Sequence, residues 1–199
     1  MSDIRGRGYG NWGVAGILIA SIAGCGQEQL DIACSIYFTE NASPLMEQSP
    51  GIVLDSKTNL FWFRCNLGQS FRDGACVGAE SNAPFEQTVA SVASLSRADP
   101  NIVNTSSRGS RNAEELTFSA LNWRIPTEAE YDSLTDVPCH SPKVDVTSFL
   151  DIKTDTYYWS SSEGKNDTYA CATRLKDGLR TCQTKKTNRN PTLLVASAQ

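Results

Sequence analysis

Seven cysteines, at positions 25, 34, 65, 76, 139, 171 and 182, are the residues best suited to chemistry in this chain. Thiols serve as metal ligands, nucleophiles, redox centres or cross-links, and their spacing separates these uses. No Cys-x-x-Cys pair occurs and His140 is the one histidine, so no spacing supplies the four convergent ligands of a zinc site. Cross-linking fits better. Cys65 and Cys76 enclose ten residues, as do Cys171 and Cys182. Closing a loop of that size is worth roughly 3 kcal/mol in the chain-entropy model. Cys34 and Cys139 then pair by elimination, one of many connectivities that six cysteines allow. Disulfides persist in oxidising compartments, which points to export.

The other reactive groups have plainer uses. Ser160-Ser161-Ser162 lacks the Gly-x-Ser-x-Gly elbow of a hydrolase nucleophile, and His140 sits beside Cys139 in a loop. Glu128, Glu130 and Asp132 could offer an acid pair for glycoside cleavage. Glu130 is better explained as part of a helix cap, and the other two by helix-start electrostatics. Trp62, Trp123 and Trp159 could stack on sugar rings, but their apolar neighbours favour core packing. The sequence therefore reads as a non-enzyme, with no metal and no cofactor.

The seventh cysteine has its own context. Arg5 and Arg7 precede an eleven-residue apolar run, Val14 to Gly24, which is too short to span a bilayer and suits a signal-peptide h-region. Ile22-Ala23-Gly24-Cys25 matches the bacterial lipobox, an aliphatic residue and two small ones before the cysteine that is lipidated. Residues 1–24 are thus expected as a lipoprotein signal peptide, with Cys25 acylated and anchored. Gly26, where an inner-membrane retention signal would place Asp, favours the outer membrane or cell surface.

These groups must be positioned by the rest of the 199 residues, about one domain by length. Residues 25–50 are expected as the lipidated N-terminus and a tether, with Ile32 to Phe38 as a possible strand. Residues 51–199 are expected as the folded domain. Ile52–Leu54 and Leu60–Phe63 flank a turn composition and predict a β-hairpin. A loop is expected over 65–76, a helix over 84–95 and a long surface loop over 96–120. Thr127 and Glu130 predict a capping box opening a second helix. Residues 137–155 form another loop. Strands follow at 156–159, 169–175 and 179–184, with Lys176-Asp-Gly178 as a hairpin turn. Pro191 to Ala196 is placed to close a sheet.

Several of these motifs occur together in one known family. Val53 through Trp62, the Cys65 to Cys76 segment with Gly68-Gln69-Ser70, Trp123-Arg-Ile-Pro-Thr127 and Tyr158-Trp-Ser-Ser161 resemble the Lcl C-terminal domain family. The resemblance covers roughly 51–196. It implies a mixed α+β fold similar to C-type lectins and to formylglycine-generating enzymes, and a role in surface adhesion. Members include the head of a collagen-like adhesin that binds sulfated glycans, although no Gly-X-Y stalk occurs in this sequence. The chain ends on Leu193-Leu-Val-Ala-Ser where the family commonly has an Arg-Cys-Val strand. Calcium-dependent sugar binding as in true C-type lectins needs Glu-Pro-Asn or Gln-Pro-Asp followed by Trp-Asn-Asp, and neither is present. Kinship with formylglycine generation raises a cysteine-based oxidase using Cys171 and Cys182, but a hairpin staple accounts for their spacing.

Charge suggests where a ligand would sit. Residues 164–190 carry Lys165, Arg174, Lys176, Arg180, Lys185, Lys186 and Arg189 against Asp167 and Asp177, on a chain of net charge −4. Such a basic hairpin could attract a sulfated or other anionic glycan. It could equally be an edge kept soluble by Lys. Nucleic acid is not expected as a partner of an acidic, exported chain. The other partner considered is an envelope or pilus protein onto which a structural lipoprotein would dock.

Overall fold

The computed structural model describes residues 32–95 and 117–198. The expected signal peptide, Cys25 and residues 96–116 of the expected surface loop lie outside them. The densest apolar runs form the expected hairpin, β2 (Ile52–Asp55) and β3 (Leu60–Phe63), in register from Ile52↔Phe63 to Asp55↔Leu60. Asp55 shapes its turn by accepting the Lys57 N–H at 2.9 Å and the Thr58 hydroxyl at 2.8 Å. β1 (Leu45–Ser49) adds to β2, and β9 (Leu194–Ser197) adds to β3, giving an antiparallel sheet in the order β1-β2-β3-β9. The chain end that departs from the family pattern still closes this sheet. The backbone pairs from Leu60↔Ser197 to Phe63↔Leu194, and the buried Leu194, Val195 and Ala196 supply the apolar side chains that the core needs there.

This sheet is covered on both faces. Val53, Trp62 and Val195 point into one cluster with Tyr131, Leu134, Phe149, Tyr158 and Leu175. Their neighbours Ile52, Phe63 and Leu194 point into another with Val92, Trp123 and Ile125. Double burial is why these strands read as continuous apolar runs rather than alternating ones.

A second sheet holds β6 (Tyr157–Glu163), β7 (Tyr169–Arg174) and β8 (Leu179–Lys185), with Gly178 at φ 74° in the turn between the last two. Helices α2 (Phe85–Leu95) and α3 (Glu128–Thr135) stand where predicted. Three expectations are corrected. The 65–76 loop contains a small hairpin, β4 (Ser70–Arg72) and β5 (Ala75–Val77). Ile32 to Phe38 is no strand but carries helix α1 (Cys34–Glu40). Nor are residues 34–49 a tether, since α1 and β1 are built into the fold. A bridge between Ala33 and His140 and the burial of Cys34 hold α1 there, and only tertiary contact provides these. The architecture is mixed α+β, with several hairpins and three disulfides.

Candidate functional site

The six cysteines of the described residues join as expected: Cys34 to Cys139, Cys65 to Cys76, and Cys171 to Cys182. Cys171 and Cys182 face each other across β7 and β8. Beside them, a Glu128 carboxylate oxygen at the start of α3 lies 3.2 Å from the Cys182 sulfur. The oxidase reading requires free thiols at this pair, which here forms a cross-link. The serine run is likewise engaged. Ser160 is buried, the Ser161 hydroxyl donates to the Ile125 carbonyl at 3.0 Å, and the Ser162 hydroxyl accepts the Glu128 N–H at 2.9 Å.

The seven basic residues separate into two groups. At the β7–β8 turn, Arg174 pairs with Asp177 at 2.5 Å, Lys176 with Asp155 at 2.7 Å and Arg180 with Asp132 at 2.7 Å. The Arg174 guanidinium holds the Asp177 carboxyl below the usual carboxylate range. Lys186 pairs with Glu86 of α2 at 2.9 Å. Lys165, Lys185 and Arg189 are exposed and make no ion pair among the described residues. Lys185 and Arg189 lie at the opposite, open end of the hairpin, where Tyr169 faces Lys185, and Lys165, in the β6–β7 loop on that side, donates its N–H to the Cys182 carbonyl midway along β8. Seven strand residues separate the two ends, about 20 Å at about 3.3 Å per residue. The turn end packs on the stretch that carries Cys139: the Lys143 N–H donates to the Leu175 and Lys176 carbonyls, and Gly178 stands against Thr135.

The sequence motifs converge on one buried junction. The Trp123 indole donates to the Phe118 carbonyl at 2.7 Å, and the Arg124 backbone bridges Val195 of β9. The Arg124 guanidinium grips Glu130 with two hydrogen bonds, while Glu130 also accepts the Thr127 N–H at 2.8 Å, completing the predicted capping box. Burial pushes the Glu130 carboxyl up, but Arg124 and the Thr127 donors together bring it below its usual range. The Tyr131 hydroxyl donates to the Trp159 carbonyl at 3.2 Å and accepts the Leu193 N–H at 3.3 Å; burial pushes that phenol upward. Trp159 donates to the Ala83 carbonyl at 2.9 Å. A family model for the Lcl C-terminal domain matches residues 51–196. The chain belongs to the Lcl C-terminal domain family. A search of curated proteins finds no match. In this Lcl C-terminal domain the recognisable motifs build the core: Trp62, Trp123 and Trp159 are at most 2% exposed, so none can stack on a sugar.

Sequence reasoning missed one polar constellation. Asn66, Glu80, Asn82, Asp151 and Lys153 come together from three loops around a cleft. The only trace in the sequence is Asn66, next to Cys65 in a family motif, and nothing in the spacing ties it to residues 80 or 151.

Proposed function

We propose that this Lcl C-terminal domain is an exported binding module, lipid-anchored through Cys25, that holds an anionic glycan at the open end of its second sheet. The observation that carries the reading is the sorting of cations along the hairpin. Those at the turn are neutralised by acidic partners, whereas Lys165, Lys185 and Arg189 are left exposed at the far end. Unpaired cations on an acidic chain attract polyanions and steer them to one place. The turn end lies by the Cys34–Cys139 clip and so by the N-terminal side of the domain. A domain tethered at residue 25 would then carry its free cations away from the membrane. Three cross-links formed by every described cysteine support an oxidising compartment.

Salt-gradient elution from a heparin column tests this. Changing Lys165, Lys185 and Arg189 to Ala should bring elution to clearly lower salt, while changing Arg174, Lys176 and Arg180 should shift it little. Retention indifferent to the first set removes the glycan reading, and capture of a stoichiometric envelope protein in its place would favour docking. Mass spectrometry of the native N-terminus should find a diacylated Cys25. An intact Met1 on a chain with titratable thiols would end the case for export.

A further inference from the structure

We infer that Lys153 and Asn66 become joined by a self-formed isopeptide bond, with Glu80 between them carrying the protons. The observation is a single carboxylate shared by an amine and a carboxamide. Glu80 accepts the Lys153 ammonium on Oε1 and the Asn66 side-chain N–H on Oε2, the latter at 3.1 Å. Nucleophile, proton carrier and leaving group are thus already in contact, which replaces a rare encounter in solution. The Glu80 side chain is 10% exposed and Asn66 is 1% exposed, while Lys153 enters from the solvent side. Amines and carboxamides are inert to one another in water. A shielded carboxylate touching both can take a proton from one and give it to the other.

The carbonyl of Asn66 is prepared as well. Its oxygen has no hydrogen bond among the described residues. The buried Tyr158 hydroxyl stands beside the same side chain, and its own oxygen accepts the Lys153 backbone N–H at 2.9 Å. Burial pushes this phenol upward, so it keeps a proton to give. A fixed donor in a dry site is of most use where negative charge develops. In the reaction, Lys153 Nζ passes a proton to Glu80 and attacks Asn66 Cγ, whose oxygen takes up the electron pair beside Tyr158. Glu80 hands the proton to Asn66 Nδ2, and the Cγ–Nδ2 bond breaks as the carbonyl re-forms. Nζ sheds a second proton, which leaves with the ammonia as ammonium. No atom changes oxidation state. Asn66 follows β3 of the first sheet and Lys153 precedes β6 of the second, so the bond fastens the two sheets together. None of the three disulfides does this. The bond stands whether or not the anionic-glycan reading does.

Mass spectrometry of the full chain, reduced and denatured, reads the bond directly. The protein should be lighter than its sequence by one ammonia, and peptide mapping should find a branched peptide joining Asn66 to Lys153. Glu80→Gln should restore the full mass. So should Lys153→Arg, which keeps the charge opposite Glu80 and should leave the near-UV circular dichroism unaltered. A wild-type chain of full mass would overturn the inference. So would an ammonia loss that persists in Lys153→Arg, the mark of a succinimide formed elsewhere. A branch ending on Asn82, which also donates to Glu80 at 2.7 Å, would overturn it too.

Discussion

Glu130 serves two elements with one carboxylate. One oxygen receives the Thr127 N–H that opens α3, and both receive the Arg124 guanidinium from the strand-like segment bridged to β9. The group is held in its charged form. Its stabilising contribution is therefore complete above the unfolded glutamate value of about 4.3, and it is lost as pH falls through the lower folded value. Glu130→Gln keeps the shape and removes the charge. Because Arg124 is 42% exposed, solvent screens the pair and the cost should be only about 1 kcal/mol near neutrality. Urea titrations of both proteins should show that gap close in acid, as the wild-type carboxyl takes up its proton. A gap that persists at acid pH would mean that charge plays no part. Asp145 follows the same logic in the neighbouring loop. Burial opposes its ionisation, but donors from Ser43, Thr147 and Ser148 outweigh burial and tie the N-terminal segment down.

Elements meet in this domain through backbone carbonyls that side chains reach across to touch. β6 is fastened to the start of α2 by the Trp159 indole on the Ala83 carbonyl, with Phe85 set edge-on to its ring at 5.5 Å. Trp159→Phe keeps an aromatic ring but removes one donor to that carbonyl, which retains the Asn190 N–H, and leaves a gap where the indole stood, for an expected loss of about 2 kcal/mol in urea unfolding. A change within experimental error would show that α2 is held by other contacts. How legible these elements are follows from where their cause lies. The β2–β3 hairpin, the capping box and the β7–β8 turn are set by neighbours in sequence, so periodicity, Thr127 with Glu130, and Gly178 disclose them. α1 is set by a residue 105 positions away. Its Ile, Tyr and Phe composition favours a strand until Cys34 is known to lie under Cys139. The Asn66–Glu80–Asp151 cleft is invisible for the same reason, because its residues share no element and no period. The positive excess of the hairpin was readable as composition, but its cancellation at the turn depends on Asp132 and Asp155, which only folding brings there.

At the scale of the whole molecule, the Cys34–Cys139 bond closes about half of the chain into one loop that includes β1, β2 and β3 of the double-faced sheet. In the chain-entropy model a loop of roughly 100 residues is worth about 4.7 kcal/mol through its restriction of the unfolded state. Removing the bond should cost less than that here. α1 has seven residues, too few to stand alone, and its Tyr37 and Phe38, with the preceding Ile32, pack on a small cluster of Val137 and the disulfide. That satellite cluster is separate from the two that clamp the sheet. Without the cross-link, α1 should therefore come away while the body stays native, and the disorder it regains in the folded state offsets part of the entropy returned to the unfolded one. Changing Cys34 and Cys139 together to Ser should give fast amide hydrogen exchange over 34–40 and 137–140, with β2, β3 and β9 still protected, and a urea midpoint lowered by less than the full loop term implies. If α1 amides exchange as slowly as before, the helix is held by its own packing and the clip is not what joins it to the domain. If protection is lost everywhere at once, α1 belongs to the same cooperative unit as the sheet, and any pull on the N-terminal segment would reach the core directly.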